Sequence, residues 1–71
     1  GYPIIFDRFK KSLEEDDYND IFANVFLIVT LADERGKEIF PMLNEKFKDE
    51  SNVMIAVNNF EQQLSDTVGK K

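Results

Sequence analysis

The sequence predicts an all-α protein: a compact bundle of about four short helices around a central apolar helix. Three observations point there. Residues 21–32, reading IFANVFLIVTLA, form the only long apolar run. Spaced at roughly 100° per residue, the apolar and polar side chains around this run separate by angle. The flanking segments repeat apolar residues at intervals of three and four, and short stretches rich in helix-capping residues divide them.

The first helix opens with Pro3, whose missing N–H suits a first turn. Ile5, Phe6, Phe9 and Leu13 form its apolar stripe, and Asp7, Arg8, Lys10, Lys11 and Glu14 fall largely on the other side. The acids of residues 14–17 oppose the dipole at a helix end and suit the start of the next helix, so the break is expected near Asp16.

The central helix is expected over residues 18–35. Tyr18, Ile21, Phe22, Val25, Phe26, Ile28, Val29 and Ala32 share its apolar face, while Asn19, Asp20, Asn24, Thr30, Asp33 and Glu34 gather opposite. Asp17 is placed to cap it, with Asp20 at the third helical position. Gly36 stands where a left-handed C-terminal glycine belongs, just after the favourable positive charge of Arg35. A second reading makes residues 25–31 a buried strand, because Val, Ile, Thr and Phe favour strands. Residues 33–38 would then turn the chain into a second arm at 39–43, giving an α/β fold with a hairpin. Pro41 weighs against that arm, since it cannot donate to a ladder.

A third helix is expected to begin near Lys37 or Glu38, with Pro41 tolerated in its first turn. Phe40, Leu43 and Phe47 form its stripe, with Ile39 and Met42 beside it. A fourth is expected over residues 52–65, with Val53, Ala56, Val57, Phe60 and Leu64 as its seam. Residues 66–71 read as a fraying tail.

Composition limits the functions available. Seventy-one residues make one small domain, expected over 1–71, near the lower size for folding without staples. With no cysteine and no histidine, disulfides, cysteine-based zinc sites, thiol nucleophiles and histidine acid–base chemistry are excluded. Seven phenylalanines spread along the chain supply one shared core instead. A net charge of −5 disfavours direct binding to nucleic acid or to an anionic membrane surface. No apolar run reaches membrane-spanning length. The first residue is Gly rather than Met, which suggests a domain excised from a longer chain. The absence of cysteine and of a signal-peptide pattern predicts an intracellular location, cytoplasmic or nuclear.

Three motifs invite chemistry, and each has a simpler account. The acids Glu14, Glu15, Asp16 and Asp17 are consecutive and lack the glycine turn of a calcium loop, so capping and solvation explain them. Arg8, Lys10 and Lys11 surround Phe9, an arrangement found on nucleic-acid surfaces, yet Phe9 fits the core stripe and acids follow at once. Gly36 within ERGK lacks the length and the strand context of a phosphate loop. No catalytic residue, metal ligand, cofactor site or small-molecule substrate emerges, and the protein is not expected to be an enzyme.

The informative anomaly is Leu27 with Leu31. Four residues apart, they form one apolar spot on the polar side of the central helix, near Asp20, Asn24 and Glu34. Either a neighbouring helix covers them or they form a docking surface. The expected function is therefore a noncatalytic protein–protein interaction domain with an acidic surface around a small apolar spot. The residues are Leu27, Leu31, Asn24, Asp20 and Glu34. The expected partner is another protein of basic character, or a second copy forming a homodimer. A further alternative is an acidic regulator of a nucleic-acid-binding protein.

Overall fold

A computed structural model describes residues 2–70, with side chains from residue 4 onward; Gly1 and Lys71, which end the expected first helix and tail, lie outside it. The chain forms α1 (Tyr2–Glu14), α2 (Tyr18–Leu31), a 3-10 turn (Glu34–Glu38), α3 (Ile39–Phe47) and α4 (Ser51–Gly69). The all-α expectation holds. Among the described residues there is no strand, and both arms of the hairpin alternative are helical, 25–31 within α2 and 39–43 within α3. The apolar β-branched residues of the run pack as a helical face: Ile21, Val25, Ile28 and Val29 are buried at intervals of four, three and one. Strand preference reflects packing context, and here a helical interior satisfies it.

One core joins all four helices. Phe9 of α1, the buried face of α2, Ile39, Phe40, Leu43 and Phe47 of α3, and Val57 and Leu64 of α4 belong to a single cluster. α1 packs chiefly on α2, while α4 packs on α2, on α3 and on the 3-10 turn. Phe22 cements the middle, lying stacked against Phe47 at 5.9 Å and Phe60 at 6.4 Å between ring centres.

The start of α2 follows expectation. Asp17 is extended (φ −89°, ψ 94°) and its carboxylate accepts the Asp20 backbone N–H at 3.2 Å. Asp16, just before it, adopts φ 54° and pairs with Lys46 of α3, which pins the first turn to the bundle.

The end of α2 does not. The helix stops at Leu31, and Ala32 rather than Gly36 takes the left-handed conformation (φ 54°), donating its N–H to the Val29 carbonyl at 3.1 Å. Gly36 is instead buried within the 3-10 turn. Asp33 caps that turn by accepting the Arg35 backbone N–H at 2.9 Å, and it also holds the Arg35 guanidinium at 2.9 Å. A strong capping residue thus starts a new turn before α2 can reach Gly36. The left-handed alanine costs about 1–2 kcal/mol, partly offset by burial of its methyl.

Other boundaries shift for similar local reasons. α3 begins at Ile39, because residues 37–38 belong to the 3-10 turn, and Pro41 sits in its first turn as expected. α4 runs through Gly69, so residues 66–69 of the expected tail are helical. Val68 packs against the core one turn after Leu64. Gln62 donates to the Asp66 carboxylate at 2.9 Å, and the Thr67 hydroxyl donates to the Gln63 carbonyl at 2.8 Å.

Tyr18 and Phe26, both placed on the apolar face by periodicity, are corrected to exposed positions. The Tyr18 ring sets its edge against Phe47 at 5.3 Å while its hydroxyl reaches outward to the Glu50 carboxylate at 3.0 and 3.1 Å. This ties the start of α2 to the loop before α4.

Candidate docking surface

α2 is apolar around most of its circumference, and the bundle covers only part of it. The shortest dimension of the molecule is 17 Å, room for about two layers of helices at 8–10 Å spacing. A helix in such a thin body keeps one side in water. On that side lie Ala23, Phe26, Leu27, Thr30 and Leu31, all exposed. Phe26 keeps 56% of its surface accessible, Leu27 46% and Leu31 47%. The positions follow i, i+3, i+4, i+7 and i+8, the spacing of a helix-packing seam. After Asp20, no charged residue occurs in α2. Leu27 and Leu31 each keep nearly half of their surface in water, so the bundle covers them only in part.

The remaining expected site residues border this seam. Asp20 is exposed in the first turn of α2, Asn24 is half-buried one turn later, and Glu34 is exposed at the start of the 3-10 turn, beyond the seam's other end. Asp20 and Asn24 also line a groove of about 330 Å³ between α1 and α2, together with Ala23, Arg8, Lys11 and Glu15. Lys11 approaches Glu15 loosely at 3.9 Å, whereas Arg8 forms no ion pair among the described residues. Ser12 at the groove floor is occupied within α1, its hydroxyl donating to the Phe9 carbonyl at 2.6 Å. The structure thus brings Asp20, Asn24, Leu27 and Leu31 onto one stripe of α2, with Glu34 past its end.

Periodicity missed three members of the seam. Taken alone it puts Phe26 inward and Thr30 on the polar side, and gives no place to Ala23. The signal was present in the spacing of residues 23, 26, 27, 30 and 31, which repeats the pattern of the buried face on the opposite side.

Elsewhere the charged groups disperse. Asp16 faces Lys46 and Asp17 caps α2, and among the described residues no three acids converge as a metal site would require. Lys10 lies over the Phe6 ring at 4.7 Å, and Phe9 is fully buried, which removes the aromatic from the basic patch. The Glu50 carboxylate, through its hydrogen bond, holds the Tyr18 phenol above its ordinary pKa of 10.0. A shallow apolar groove of about 470 Å³ runs between α1 and α3 over Leu13 and Met42. No helix of the described residues is long and apolar enough to cross a membrane.

No protein-family model matches the chain, and no curated protein and no solved structure matches it either.

Proposed function

We propose that this chain is a noncatalytic protein–protein interaction domain that docks its partner through the outer face of α2. The observation that supports this reading is the uncharged, exposed seam of Ala23, Phe26, Leu27, Thr30 and Leu31 on a helix whose opposite face is already buried. A helix that is apolar on both sides belongs between two layers, and the chain supplies only one of them. Contiguous exposed apolar side chains of this kind mark interfaces. Asp20 and Glu34 at the two ends form an acidic rim, which favours a partner that brings an apolar helix with basic groups at its edge. Self-association is the second reading, favoured by the regular helix-packing spacing of the seam.

The test is a titration with a synthetic amphipathic helix carrying leucines on one face and lysines at its edges, followed by backbone amide shifts. Binding should move resonances of residues 20–34, weaken as salt is raised, and disappear in Leu27→Asp while the helical circular dichroism stays unchanged. Shifts scattered over α3 and α4, or binding indifferent to Leu27→Asp, would refute it.

A further inference from the structure

We draw no further inference here: the strongest candidate, the exposed apolar face of α2 formed by Phe26, Leu27 and Leu31, belongs to the docking surface already described, and nothing in the structure shows what covers it.

Discussion

Phe26 and Phe47 are the same residue type, and periodicity assigns both to the core, yet truncating them should cost very different amounts of stability. Phe47 is fully buried, with Tyr18 edge-on at 5.3 Å and Phe22 stacked at 5.9 Å. Phe47→Ala removes the transfer free energy of the ring and leaves a cavity that the neighbouring rings cannot fill, a loss of about 3–5 kcal/mol. A domain of this length has roughly 4–10 kcal/mol in total, so this one change removes much of it. Phe26 is already 56% exposed, and Phe26→Ala should cost about 1 kcal/mol or less. Urea unfolding followed by far-ultraviolet circular dichroism resolves the two. With a slope of about 1 kcal/mol per molar, the midpoint should fall by about 3 M or more for Phe47→Ala and by about 1 M at most for Phe26→Ala. The measurement belongs at low micromolar protein, where self-association adds nothing to apparent stability. Equal losses would mean that Phe26 is packed inside the fold, and the seam on which the docking argument stands would not exist.

Two further perturbations probe the start of α2. The Tyr18 phenol, held above 10.0 by its hydrogen bond to the Glu50 carboxylate, keeps its proton more tightly folded than unfolded. Its stabilising contribution is therefore present below pH 10 and is lost as pH rises through the raised folded value. Tyrosinate absorbance should show one late titration that Tyr18→Phe removes and Glu50→Gln brings back toward 10.0; a late titration that survives Glu50→Gln unchanged would assign the shift to another cause. Asp17→Ala deletes the cap on the Asp20 N–H and should cost about 1 kcal/mol, a drop of roughly 4–8 °C in melting temperature. Asp17→Asn should recover most of that loss if the hydrogen bond, rather than the charge, is what matters.

Local chemistry made several features legible before any tertiary structure. The cap at Asp17, the break at Asp16 and the tolerance of Pro41 in a first turn depend on a few neighbouring residues and the backbone groups they satisfy. The helical character of residues 18–31 follows from angular segregation, even though their composition favours strands. The exit from α2 is less legible. Gly36 is the residue best suited to a left-handed conformation, but Asp33 intervenes as a cap for a separate turn, and burial lets Ala32 bear the strain. Two local preferences competed there, and packing chose between them.

The sequence by itself determined that the chain is helical, how many α-helices it has, and most of the residues of α1, α3 and α4 that face inward, because each of those helices has a single apolar stripe; Met54 and Val68 join the core beyond the expected seam of α4. It also singled out Leu27 and Leu31 beside Asp20, Asn24 and Glu34. Only the tertiary structure decided how wide the covered side of α2 is. Periodicity puts Ile21, Val25, Ile28, Val29 and Ala32 inward and Leu27 and Leu31 outward, as burial has them, but it does not encode whether a flanking apolar position finds a neighbour. That was decided by the placement of α1 and α4 in a body two layers thick, which left Phe26 in water.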